Sequence, residues 1–204
     1  MRARPTSPRF AALAAWAACG ALAGCDAASA ALRPFHGVAY DPPAAAPALR
    51  LPTSAGRPFD LARATGDSGR AALVFFGYTH CPDVCPTTLA DWARARRLLG
   101  ADAERVRFVF VTVDPERDSA AVVRRYVAQF DSTIVGLAPS RAALDETLAA
   151  WRLAAHREGG PDSAYTVAHP AQTFAVDAEG RLRLLHALGT RPADLAADVR
   201  RLLD

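Results

Sequence analysis

Lysine is absent from this 204-residue chain, and all 24 of its basic side chains are arginine. That bias points to a GC-rich genome and carries no functional message. A surplus of charge is lacking as well. The formal net charge is +3, and it belongs to the first residues: Arg2, Arg4 and Arg9 stand before an uncharged apolar run from Phe10 to Leu22. A cationic start followed by such a run has the layout of a secretory signal, and the run is too short to span a bilayer comfortably. Without those three arginines the chain holds 21 basic against 21 acidic residues, a balance that argues against nucleic acid as a partner. No internal repeat is present. A mature chain of roughly 180 residues suffices for one domain with a proper core.

Cysteine is scarce too, at four residues, and the four have different fates. Leu22-Ala23-Gly24-Cys25 resembles the lipobox of bacterial lipoproteins, in which cleavage precedes a cysteine that then carries acyl chains. On this reading residues 1–24 are a lipoprotein signal peptide that takes Cys19 away. Cys25 is the lipidation site, and residues 25–33 are an Ala-rich tether to a domain over 34–204. Several acyl chains make such anchoring stable. Asp26 resembles the signal that retains lipoproteins in the inner membrane of some Gram-negative bacteria. The expected location is the bacterial cell envelope, on the periplasmic face of the inner membrane, where paired thiols can oxidise. Only Cys81 and Cys85 remain as thiols.

Those two lie in Gly77-Tyr78-Thr79-His80-Cys81-Pro82-Asp83-Val84-Cys85-Pro86, the most informative stretch of the chain. Ala71 to Phe76 before it is a short apolar run, the pattern of a strand buried on both faces. Leu89, Trp92, Leu98 and Leu99 after it recur at roughly helical spacing. Pro86 suits the first helical position, which puts Cys85 at or near the N-cap and Cys81 in the preceding loop. Both sulfurs then sit near the positive end of a helix dipole, which favours thiolate. A pair of thiolates can close a disulfide or hold a soft metal ion, and the spacing alone leaves both open.

Asp41 to Pro47, with three prolines, predicts an irregular loop. Leu49–Leu51 and Arg57–Leu61 predict a hairpin. Val106–Val113 is a strong strand, and Val122, Val123, Tyr126, Val127 and Phe130 form a helical stripe. Ile134–Leu137 is a short strand. Leu144, Leu148 and Trp151 mark a helix that ends before Gly159-Gly160-Pro161. Thr173–Val176 and Leu182–Leu188 form a hairpin turned at Asp177–Gly180, and Leu195, Val199, Leu202 and Leu203 belong to a terminal helix. This order predicts an α/β thioredoxin-like sandwich: a mixed central sheet flanked by helices, with an N-terminal β-hairpin extension.

The cysteine segment with Phe75 and Phe76 closely resembles the signature of the Sco/SenC proteins, copper chaperones for cytochrome c oxidase assembly. Val113-Asp114-Pro115-Glu116-Arg117-Asp118 resembles that family's D-P-x-x-D segment. Phe130 through Val135-Gly136-Leu137 resembles its next strand. Tyr165 to His169, followed by Phe174–Asp177 and Gly180, resembles the region of its metal-binding histidine. The resemblance runs from about Phe35 to the C-terminus. It implies one copper ion, Cu(I) or Cu(II), held by Cys81, Cys85 and His169, with a disulfide between Cys81 and Cys85 when oxidised. Two sulfurs suit Cu(I), and an imidazole suits Cu(II). The implied partners are the copper-bearing subunit of the oxidase, a periplasmic copper donor and a thiol reductant. Where much of the family has an acidic residue before this histidine and a small hydroxyl residue after it, the chain has Ala168 and Pro170, which predicts weaker orientation of the ring.

A second reading is a thiol–disulfide oxidoreductase that works on cysteines of an oxidase subunit or another exported partner. Cys81 and Cys85 would then be a redox pair and His169 dispensable. Of the other candidates, His80 reads as structural or adjacent to the ligands, and His36, His156 and His186 as surface residues. Asp83 reads as a solvated turn residue and Asp118 as a helix cap. Trp92 and Trp151 read as core.

Overall fold

Burial on both faces decides the centre of the fold. Every residue of Ala71–Gly77 is buried, and this strand has neighbours on both sides. The computed structural model describes residues 34–160 and 164–203, so the signal, Cys25 and tether readings lie outside the described residues. In chain order the elements are β1 (Val38–Ala45), β2 (Arg50–Pro52), β3 (Pro58–Asp60), a helical turn at Leu61–Ala64, β4 (Ala71–Gly77), α1 (Val84–Leu99), β5 (Val106–Thr112) and α2 (Ala120–Ala128). There follow β6 (Val135–Leu137), α3 (Arg141–Trp151), β7 (His156–Glu158), β8 (Thr166–Ala168), β9 (Thr173–Val176), β10 (Arg181–His186) and α4 (Pro192–Arg201).

Six strands form one mixed sheet in the order β1-β10-β9-β4-β5-β6. β4, β5 and β6 run parallel, whereas β9 is antiparallel to β4 and β10 to β9. Side chains alternate across the sheet. Phe75 meets Trp92 of α1 on one face, where Phe110 meets Tyr126 of α2, while Phe76 packs against Trp151 of α3 on the other. Both tryptophans are buried as expected. The α/β sandwich, the mixed sheet and the β2–β3 hairpin all follow the sequence reading.

Three local readings are corrected. The proline-rich stretch at Asp41 is not a loop: it belongs to β1, an edge strand on β10. Pro42 and Pro43 fall where the register shifts between Ala39 and Ala44, and an edge or bulge is where a sheet tolerates residues without an N–H. α1 begins at Val84 rather than Pro86, with Asp83 at its N-cap, so Cys85 lies inside the first turn. Leu98 is exposed, outside the buried stripe of Leu89, Trp92 and Leu99. One hairpin went unread. β7 pairs antiparallel with β8, and β7 is exposed throughout, so it has no apolar alternation to betray it.

Candidate metal centre

The parallel strands β4 and β5 end side by side, and the chain leaving β4 turns back at once into α1. Gly77 closes β4 because nothing larger fits. A Cβ there would stand 2.7 Å from the Cys85 sulfur and 2.8 Å from the Phe75 ring. The turn brings Cys85 beneath Tyr78, whose N–H points at its sulfur over 3.4 Å, while the Cys85 N–H points at the Cys81 sulfur over the same distance. Both cysteines are free and buried, Cys81 at 8% exposure and Cys85 at 0%.

The two thiols are not equivalent, contrary to the expectation that the dipole favours thiolate in both. The Cys81 thiol is held far below its ordinary pKa by the hydrogen bond from the Cys85 side chain, outweighing burial, with help from the Cys85 amide. Burial pushes the Cys85 thiol up, and the neighbouring Cys81 thiolate adds to the effect. The resting pair is therefore a thiolate at Cys81 and a thiol at Cys85. A divalent or monovalent cation between them would replace the shared proton.

His169 arrives from the far side, directly after β8. Its Nε2 lies 3.8 Å from the Cys81 sulfur and 3.6 Å from the Cys85 sulfur, and the three donor atoms all lie within 4.8 Å of one another. With bonds of about 2.3 Å to thiolate and about 2.1 Å to imidazole, as at zinc, tetrahedral to trigonal angles separate N from S by roughly 3.6 to 3.8 Å. Both nitrogen–sulfur separations are thus those a shared metal ion would impose. Nδ1 faces the Pro170 carbonyl at 3.0 Å. A carbonyl only accepts, so Nδ1 carries the proton and Nε2 keeps its lone pair for an ion held between the sulfurs. The ring is also held edge-on between Phe75 and Tyr78, with centroids 5.8 and 5.5 Å away. Backbone and aromatic packing thus do the orienting that Ala168 cannot, which corrects the expectation of a loosely held ring.

A buried polar network joins the two arms. Asp118 does not cap α2; Ser119 does, through its side chain to the Val122 N–H. Asp118 is instead buried and accepts from the Thr79 N–H at 2.9 Å, the Thr79 hydroxyl at 2.6 Å and the Thr112 hydroxyl. It thereby ties the cysteine loop to the end of β5. Asp114, also buried, accepts from the Tyr165 hydroxyl at 2.6 Å and from the Arg117 guanidinium. Arg117 donates onward to the Tyr165 carbonyl at 3.0 Å and lies over that ring at 3.5 Å. The β5–α2 loop therefore holds both the cysteine loop and the hairpin bearing His169.

The other candidates stand apart from the sulfurs. His80 is turned outward toward Thr79 and Asp118, Asp83 is exposed, and His36 and His156 are surface residues near Asp194 and Glu158. His186 is buried rather than exposed. It packs under Gly37, where a Cβ would come within 2.9 Å of its ring. The roles of Arg117 and Tyr165 had no sequence signal of their own, because nothing in a spacing shows that a tyrosine near a histidine reaches a distant aspartate.

The SCO1/SenC family model matches residues 46–204. The chain belongs to the SCO1/SenC family. Among solved structures it is similar to ScoI of Bradyrhizobium japonicum with copper bound, at 34% identity and a TM-score of 0.70, covering 78% of this chain and 99% of that one. It is also similar to apo Sco1 of Thermus thermophilus, at 36% identity and a TM-score of 0.74, covering 84% and 99%. Human mitochondrial SCO1 homolog is 29% identical over 156 residues, which is 71% of this chain and 51% of that protein. Mouse mitochondrial SCO2 homolog is 32% identical over 65% of this chain and 53% of its own length. This SCO1/SenC chain thus spans about half the length of these mitochondrial relatives.

Proposed function

We propose that this protein binds one copper ion through Cys81, Cys85 and His169 and delivers it to the copper-bearing subunit of cytochrome c oxidase during assembly. The observation that carries the reading is the triangle of two sulfurs and one imidazole at ligand spacing, in a family whose solved members include a ScoI with copper bound. Copper is cargo here. Two sulfurs and one nitrogen leave its coordination shell incomplete and suit either oxidation state, as a carrier requires. Cys81 and the partly exposed His169 form the outer side of the group, from which a partner's ligands would take over the ion.

The lipobox motif supports a membrane-tethered form: signal over 1–24, acylated Cys25, tether over 25–33, and the SCO1/SenC domain over 34–204 on the periplasmic side. No helix among the described residues is long and apolar enough to cross a membrane. A Cys25→Ser variant is expected in the soluble rather than the membrane fraction, and equal membrane retention would contradict the anchor.

One observation favours thiol–disulfide exchange as a second activity. A low-pKa thiolate at Cys81 beside a buried thiol at Cys85 is the arrangement of a nucleophile and its resolving partner. Copper titration of the reduced protein separates the two. Delivery predicts one equivalent bound, with large losses in Cys81→Ala, Cys85→Ala and His169→Ala. Failure to bind copper, or a His169→Ala protein that still supports oxidase assembly fully, assigns the site to redox exchange instead.

A further inference from the structure

At the opposite end of the parallel strands from the sulfurs, a groove of about 450 Å³ is walled by Arg57, Arg63, Arg70 and Arg107. Arg57 follows β2, Arg63 lies on the helical turn, Arg70 precedes β4 and Arg107 stands near the start of β5. The floor includes Phe59 and Val135. Four guanidinium groups from four segments face one concavity, and among the described residues none of the four has a carboxylate within ion-pair distance.

The acids nearby are already engaged. Asp60, which also lines the groove, is bound by Arg50 at 2.9 Å. Glu104 is bound by Arg96 at 2.8 Å, and Arg70 reaches only its main-chain carbonyl, at 3.3 Å. Burial and the neighbouring Arg70 both work against the charge on Arg107, and Glu104 offsets them only in part. The groove therefore holds more positive charge than the fold neutralises, in a chain that pairs most of its other charges.

We propose that this groove is a binding site for an oxyanion of the phosphate class. A tetrahedral anion offers acceptors on all sides and so can engage guanidinium groups that approach from several directions, where a planar carboxylate satisfies one or two. The volume matches small-ligand sites, which begin near 300 Å³. The phosphate group can come from a free anion or from a phospholipid headgroup. The proposal is independent of copper binding, since the groove shares no residue with the sulfur site.

The test is thermal unfolding of the purified protein with pyrophosphate against sodium chloride at matched ionic strength, with anionic phosphatidylglycerol and zwitterionic phosphatidylcholine vesicles as a second arm. A rise in Tm specific to pyrophosphate is expected, with half-saturation moved about tenfold or more by Arg107→Gln, as for a lost charged hydrogen bond. Arg124→Gln, on the exposed face of α2, should leave it unchanged. The double variant Arg57→Gln, Arg63→Gln, both at exposed positions, carries the same expectation should Arg107→Gln not fold. Binding of phosphatidylglycerol vesicles alone, lost in the double variant, assigns the headgroup as the source. A rise that chloride reproduces, or that the arginine variants retain, overturns the proposal.

Discussion

At the scale of single residues, the division of charge between Cys81 and Cys85 controls how the reduced, metal-free protein responds to pH. An unperturbed thiol titrates near 8.5. Cys81 is held below that value, so its thiolate contributes stability that is present above it and lost as pH falls. Cys85 is held above it, so its thiol contributes stability that is present below it and lost as pH rises. Between about pH 3 and about pH 8 the unfolded chain binds the extra proton at position 81, and this contribution to stability rises with pH. Above about pH 9 the folded protein binds the extra proton at position 85, and stability falls. Urea titrations across this range should show Cys81→Ser flattening the rising limb and Cys85→Ser the falling one; the same pH profile in wild type and both variants would contradict the assignment. Asp118 gives a second residue-level expectation. Its removal leaves Thr79 and Thr112 without their buried acceptor, so Asp118→Ala should cost about 3 kcal/mol of unfolding free energy, and Ser119→Ala, the loss of an N-cap, about 1 kcal/mol.

At the scale of elements, the site depends on how closely β4, α1 and the β7–β8 hairpin approach. Gly77→Ala would drive a methyl group into the Cys85 sulfur and the Phe75 and Phe110 rings. Overpacking of this kind costs about 1 to 3 kcal/mol, and the displaced sulfur should weaken copper binding by more than the stability loss alone. Tyr165→Phe removes the hydroxyl from Asp114 while keeping the ring. It should lower copper affinity through His169 yet leave alkylation of Cys81 unchanged, a contrast that general loosening would not give. Much of this was legible in the chain. β4, β5 and the cysteine helix declare themselves through unbroken apolar runs and helical stripes, and Cys81, Cys85 and His169 through the family motifs they stand in. What escaped had physical reasons. β1 was hidden by its prolines, β7 by having no buried side chain, and the links of Tyr165 to Asp114 and Arg117 by joining residues about 50 positions apart through a fold that pairing rules along one element do not reach.

At the scale of the whole molecule, the edge strand and the C-terminal helix lock each other. The Asp198 carboxylate of α4, buried, receives the His36 and Gly37 N–H groups at 2.9 to 3.1 Å, just where the chain enters β1. Asp198→Ala should therefore free the start of β1 and expose the β10 edge. Limited proteolysis near His36 should speed up while the sulfur site, on other strands, stays intact. The sheet itself separates two ends: sulfurs and imidazole where β4 and β5 finish, unpaired arginines where they begin. Everything functional at the first end rests on one ion touching all three donors at once. X-ray absorption at the copper edge of the loaded protein reads this directly. The account predicts two sulfur scatterers and an imidazole around each copper, with the imidazole signal gone in His169→Ala; a sulfur-only shell in the wild type, unchanged by that substitution, would contradict it.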